Sequence, residues 1–237
     1  MRKTGILFLT LATLVACESV ESTDVMTSGV YADIEAVAEG DGSTRASAIL
    51  RVGGADSNTF LELVADDSLT ASTGEETQEL IEQSIGDYFS YVADFDVDAE
   101  DTEFVVAFER TVDEGAPNTT LSLPALFDLT GPEEGVTLSR SEEDITITWE
   151  SSGTEDEMLW SASGGCFFDA SGGIEGDPGT FTIEAGTLES VDEDEPETCE
   201  ATLVITRSRV GDLDPGYGEG GSVFGKQMRS VDILVSP

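Results

Sequence analysis

Carboxylates supply most of the side chains in this sequence that could do chemistry. Asp94, Asp96, Asp98 and Asp101 recur at short spacing with Glu100 and Glu103 among and after them, and hard oxygen donors of this kind are what calcium takes. The helix–loop–helix calcium pattern needs Gly at its sixth position and Glu at its twelfth, where this chain has Ala99 and Val105. In an extended strand, alternate carboxylates stand about 6.6 Å apart along one face, too spread for three to share an ion. The aspartates therefore read as a solvated strand face, and a loop site built from Asp98, Glu100, Asp101 and Glu103 is the calcium-binding alternative. The run Asp192-Glu193-Asp194-Glu195, followed by Pro196 and Glu197, is a block of like charges that repel and stay solvated. Of the ten basic residues, Arg207, Arg209, Lys226 and Arg229 lie in the last 31 positions. Arg207 and Arg209 share a strand face beside a glycine-rich stretch, so the four together suggest an anion- or glycan-binding patch. Internal ion pairing with the surplus acids is the other reading. Gly220 to Gln227 comes within one residue of the phosphate-loop pattern, but Gln227 stands where a hydroxyl would hold magnesium.

Composition narrows the field further. The chain has 237 residues, 50 Asp plus Glu against 10 Lys plus Arg, no histidine and a formal charge of -40. Without histidine there is no Ser-His-Asp or Cys-His nucleophile system and no His-ligated zinc or iron site. A surface this negative repels nucleic acid, nucleotides and anionic lipid. It also repels itself unless salt screens it, which fits a halophilic protein facing saline water. A hydrolase using two carboxylates gains no support, because with so many acids any pairing can be imagined.

The first residues carry an address. Arg2 and Lys3 precede an apolar run from Ile6 to Ala16, too short to span a bilayer and of the length of an export signal. It ends Leu14-Val15-Ala16-Cys17, which resembles the lipobox of bacterial lipoproteins. The resemblance implies a signal peptide over residues 1–16, cleavage before Cys17, and a Cys17 bearing diacylglycerol and often an N-acyl chain such as palmitate. Each buried CH2 is worth about 0.8 kcal/mol, so two or three acyl chains hold a body on a membrane almost permanently. Residues 18–29 are small, polar and acidic, without period 2 or 3.6, so 17–29 read as an acidic flexible tether. In the Gram-negative members of that family Asp after the cysteine favours inner-membrane retention; Glu18 here favours the outer membrane. With Cys17 lipidated, Cys166 and Cys199 are left as an even pair in an oxidising compartment. A disulfide closing that separation is expected, with two unpaired buried thiols as the alternative. A redox role lacks both a Cys-x-x-Cys and a histidine.

The body alternates apolar and polar residues in short runs bounded by Gly, Asp, Ser or Pro, which predicts an all-β chain. In residues 88–98, Phe89, Tyr91, Ala93, Phe95 and Val97 share one face. Residues 102–110 and Asn118 to Leu123 follow. Tyr31 to Ala38, Arg45 to Arg51 and Thr59 to Leu63 precede, and residues 75–85, boxed by Gly74 and Gly86, are read as a strand over a short helix. Downstream, Ile145, Ile147 and Trp149 mark a half-buried strand with a large aromatic anchor. Met158 to Ser163, Thr180 to Ile183, Ala201 to Arg209 and Ser230 to Val235 complete the set, and the glycines from 211 to 225 predict a long flexible loop before the last strand. Turns every 8 to 12 residues suggest an antiparallel β-sandwich. Leu123-Pro124 through Ile-Thr-Ile-Thr-Trp149 resembles the opening of a fibronectin type III or immunoglobulin-like module over residues 123–237, without the Cys-Trp-Cys spacing of antibody domains. The expectation is two immunoglobulin-like β-sandwich domains, 30–123 and 124–237, the second holding the disulfide.

The expected function is accordingly a lipid-anchored cell-envelope lipoprotein, tied to the membrane by its acyl chains, with a structural or interaction role and no catalysis. Its partner would be an envelope protein or glycan. A carbohydrate- or calcium-dependent adhesion module is the competing expectation.

Overall fold

The computed structural model describes residues 18–85, 88–192 and 197–237. Cys17, the leader before it and most of the acidic run at 192–197 lie outside the described residues. In the first half the strands are β1 (Glu18–Glu21), β2 (Val30–Ala38), β3 (Thr44–Val52), β4 (Thr59–Glu62), β5 (Ser68–Ser72), β6 (Thr77–Glu79), β7 (Ile81–Ile85), β8 (Tyr88–Phe95), β9 (Glu103–Glu109) and β10 (Ala116–Ser122). In the second they are β11 (Leu129–Gly131), β12 (Thr137–Ser139), β13 (Ile145–Trp149), β14 (Glu157–Gly164), β15 (Ala170–Ile174), β16 (Thr180–Ile183), β17 (Cys199–Val210) and β18 (Gly221–Ser236). The described helical content is two three-residue 3-10 turns, Ser22–Asp24 and Thr27–Gly29. The chain is therefore all-β, as the alternation predicts.

One large sheet runs β1-β4-β3-β2-β18-β17-β14-β15, with β8 also on β3, β7 on β8 and β12 on β18. Two smaller sheets pack against it. The sheet β10-β9-β5-β6 closes a first core of Ile34, Leu50, Leu69, Phe95, Phe104 and Phe108, among others. The sheet β11-β13-β16 closes a second around Ile145, Ile147, Trp149, Met158, Trp160 and Leu203. Both are sandwiches, because each strand places alternate side chains on the inner face. The burial of β2, β9 and β13 alternates residue by residue. Small residues line the buried face of β2 and β3: Ala32, Ala36, Ala38, Ala46 and Ala48 are all buried.

The last strand belongs to both halves. Its residues 221–227 pair in parallel with 32–38 of β2, while 224–235 pair with β17 and 234–236 with β12. Tyr217 and Val223 accordingly pack in the first core. This corrects the expected flexible loop, since β18 begins at Gly221 rather than near 230. The glycines there serve close approach between sheets: a Cβ on Gly225 would lie 1.9 Å from the Ser122 carbonyl oxygen, and one on Gly211 would lie 2.4 Å from that of Thr120. The pattern resembling a phosphate loop thus falls in extended strand.

Residues 18–29 also depart from expectation. From Glu18 onward the segment is docked instead of forming a tether: β1 pairs in parallel with β4, and Ser22 and Thr27 are buried. Their polarity is used inside. The Ser22 hydroxyl accepts from the Val64 N–H, and the Thr27 hydroxyl donates to the Glu114 carbonyl. Arg110 donates to the Ser22 carbonyl and the Thr27 hydroxyl while pairing with Asp67 at 3.2 Å, both side chains fully buried. Burial alone would raise the Asp67 carboxyl; bonds from the Thr111 N–H, the Ser22 and Thr111 hydroxyls and Arg110 outweigh it and hold it below its ordinary value.

Candidate functional site

The basic residues singled out from the sequence meet at the junction of the two cores, but not as an open patch. The β17–β18 register sets Gln227 opposite Arg207 and Arg229 opposite Ile205, so Arg207, Arg209 and Arg229 share the inward face. Lys226, opposite Ser208, lies on the other face and pairs with Glu35 across the neighbouring strand. One face therefore holds three of the four.

Arg207 has a fully buried side chain. Its guanidinium donates to the Ala125 carbonyl at 2.6 Å, the Leu126 carbonyl at 3.2 Å and Asp177 Oδ2 at 2.8 Å. It also lies 4.8 Å from the centre of the Phe127 ring, with Arg229 at 5.4 Å from the same ring. Asp177, its side chain equally buried, accepts from Trp149 Nε1 at 2.7 Å on Oδ1, and from the Ser152 N–H and hydroxyl on Oδ2. Burial pushes its pKa up, but those donors and Arg207 carry it below the ordinary carboxylate value. The predicted aromatic anchor, Trp149, thus has its polar edge satisfied by the same acid.

Arg209 grips Asp156 with both Nε (2.8 Å) and Nη2 (3.0 Å), and its Nη1 donates to Asp101 at 2.7 Å and to the Leu123 carbonyl at 3.2 Å. These bonds raise its pKa, Asp156 first, against the opposing effect of burial. Arg229 donates to the carbonyls of Met228 and Ala38 and to Gln227 Oε1, and its partial burial lowers its pKa despite Asp128 and Asp98 nearby. The expected anion or glycan patch is corrected on these grounds: the guanidinium groups are spent on internal carboxylates, carbonyls and an aromatic ring. What the arrangement does chemically is to hold the connector between the halves. Sequence reading missed Asp177 and Phe127; Asp177 stands in Gly176-Asp177-Pro178-Gly179, whose composition signals only a turn.

The expected calcium ligands are not assembled. Asp101, in the left-handed region at φ 59°, is turned to Arg209, and Asp98 contributes its backbone carbonyl to Gln227 Nε2. Asp101 and Glu103, with Glu75, Glu76 and Asp96, line a surface depression of about 430 Å3 that does not include Asp98 or Glu100. Among the described residues no three acidic or thiol side chains are grouped to hold a metal ion.

Cys166 and Cys199 form the expected disulfide, with Cα atoms 5.8 Å apart. It ties the loop after β14 to the start of β17. Beside it the buried Arg140 donates to the Glu197 carbonyl and the Ser190 hydroxyl and approaches Cys166 Sγ at 3.6 Å.

No protein-family model matches the sequence, and no curated protein matches it. Among solved structures the chain is similar to the FN1–FN3 domains of chicken CNTN1, at 9% identity and a TM-score of 0.29, covering 86% of this chain and 65% of that one. The fibronectin(III)-like modules of Clostridium thermocellum CbhA follow at 12% identity and 0.25, covering 87% and 90%. The calcium binding domain CBD12 of CALX1.1 stands at 9% identity and 0.24, covering 86% and 99%. The chain spans about two thirds of the length of the CNTN1 fragment.

Proposed function

We propose that this chain is a lipid-anchored β-sandwich of the bacterial cell envelope, held by acyl chains on Cys17 and serving a structural or interaction role without catalysis. Glu18 after the cysteine favours the outer membrane. One observation carries the reading beyond the leader pattern: the Glu18 N–H already bonds to the Asn58 carbonyl at 3.1 Å and Glu18–Glu21 form a strand of the body. A chain cleaved before Cys17 would keep β1 in its sheet, with the acylated residue next to Glu18. The internal use of Arg207, Arg209 and Arg229 supports a scaffold over a glycan-binding site. Intact mass of the mature amino terminus from the native host is expected to begin at Cys17 with diacylglycerol attached, and protease accessibility on whole cells then reports which face is occupied. A terminus upstream of Cys17, or one without acyl mass, refutes the reading. Calorimetry with calcium is expected to show no stoichiometric binding, because Asp101 is committed to Arg209.

A further inference from the structure

The start of β1 and an aromatic cluster lie at one end of the large sheet. Cys17 is one peptide, about 3.8 Å between Cα atoms, from Glu18, and Glu18 is pinned to Asn58. A free 12-residue tether would allow a root-mean-square reach of about 20 Å; the docked segment leaves no such spacer. β1 and β4 start together here, with Glu18 opposite Thr59, while β3 ends here with Arg51 opposite Phe60. β8, antiparallel to β3, starts at this end with Tyr88. The Phe60 ring meets Tyr88 edge-on at 5.6 Å and Phe89 at 6.1 Å, with the Arg51 guanidinium 5.9 Å from its centre. Tyr88 is 42% exposed at this end, one of several large apolar side chains left on the surface. Amphipathic rings such as Tyr settle at headgroup level in bilayers. β18 leaves from the same end at Gly221, beside Ala32 of β2, and its 16 residues extend roughly 50 Å.

We propose that this end of the sheet, presenting Asn58, Tyr88 and the start of β1, seats in the headgroup layer of the membrane, so that the body stands in one orientation with the second core carried outward. The proposal rests on the acylation of Cys17. The bilayer is the occupant because Cys17, the residue proposed to carry the acyl chains, directly precedes Glu18, and Glu18 is paired into the sheet at this end. Glu18 and Asp56 at this end disfavour anionic lipid, so the probe is a zwitterionic phosphatidylcholine vesicle.

The full chain, processed by a lipoprotein-exporting host and extracted in detergent, is checked for acyl mass and labelled with bimane at Asn58→Cys or, in a second preparation, at Glu142→Cys near the far end of β18. In vesicles carrying headgroup nitroxide lipid, the Asn58→Cys label is expected to be quenched at least threefold more than the Glu142→Cys label. Tyr88→Ser is expected to halve that difference with the melting temperature unchanged; an unchanged difference would remove the aromatic contact. Equal quenching at both sites with acyl mass present overturns the seat and leaves the anchor standing. Missing acyl mass overturns both.

Discussion

Asp177→Asn isolates the junction. The substitution keeps the shape of the side chain but removes the charge that faces Arg207, and both side chains are essentially inaccessible to water. Asp177 is an acceptor on both oxygens: Oδ1 receives Trp149, and Oδ2 receives Arg207 and both Ser152 donors. An amide must turn two of its own N–H groups toward one of those sets, so at least one buried donor faces another donor. Breaking a buried ion pair on one side costs about 3 to 5 kcal/mol, because the surviving charge stays desolvated. At about 2 to 4 °C per kcal/mol for a chain of this size, the melting temperature is expected to fall by roughly 6 to 20 °C. Scanning calorimetry at pH 7 and high salt measures it, with Arg207→Met and the double variant completing a cycle. Removing both charges relieves the desolvated partner, so a coupling of about 2 kcal/mol is expected. A single-variant cost below about 1 kcal/mol, or costs that add within about 0.5 kcal/mol, would refute a tightly coupled junction.

Salt is expected to raise the melting temperature between 10 mM and 0.5 M sodium chloride, as the Debye length shrinks and the excess of carboxylates is screened; a flat or falling midpoint counts against self-repulsion. The pH profile should fall on the acid side. Asp67, Asp156 and Asp177 have folded pKa values below their unfolded ones, so their contribution is complete above about pH 4 and is lost as pH falls through the lowered values. Thermal melts between about pH 5 and about pH 2 read the loss, and a midpoint that holds or rises down to about pH 2 defeats the role of the three buried acids. Replacing Cys166 and Cys199 together by Ser opens a loop with a separation of 33 residues and is expected to cost about 3 to 4 kcal/mol by chain entropy. Urea unfolding reads the loss, and an unchanged midpoint would contradict it.

Local pattern sufficed where a strand has one wet and one dry face. Ile145, Ile147 and Trp149 are buried while Thr146 is exposed, because period two is a direct print of the pleat. The same signal vanished in β18, whose glycines read as loop: the reason for glycine at 225 is the Ser122 backbone on another sheet, which no local window contains. In residues 18–29 polarity does not mean solvation, since Ser22 and Thr27 use their hydroxyls to bond Val64, Arg110 and Glu114. Spacing correctly put Arg207 and Arg209 on one face. Which face is dry depends on the sheet behind it, and the register with β18, which excludes Lys226, is a long-range property.

The placement of the arginines explains how two cores behave as one body. A segment such as 123–128, carrying Pro124 between two sandwiches, would ordinarily be a hinge. Here its carbonyls are held in turn: Leu123 by the Asp101 N–H and Arg209, Ala125 and Leu126 by Arg207, Asp128 by the Glu150 N–H. Phe127 between them lies against both Arg207 and Arg229. Lysine could not substitute, because one guanidinium serves three carbonyls, a carboxylate and a ring at once, while an ammonium has no planar fork to divide among them. A chain so rich in acids places its few arginines where several acceptors converge, and the shared strand β18 closes the junction from the other side. Bending at 123–128 would require breaking the Arg207 and Arg209 sets together, and the same bonds keep these two guanidinium groups from an external anion.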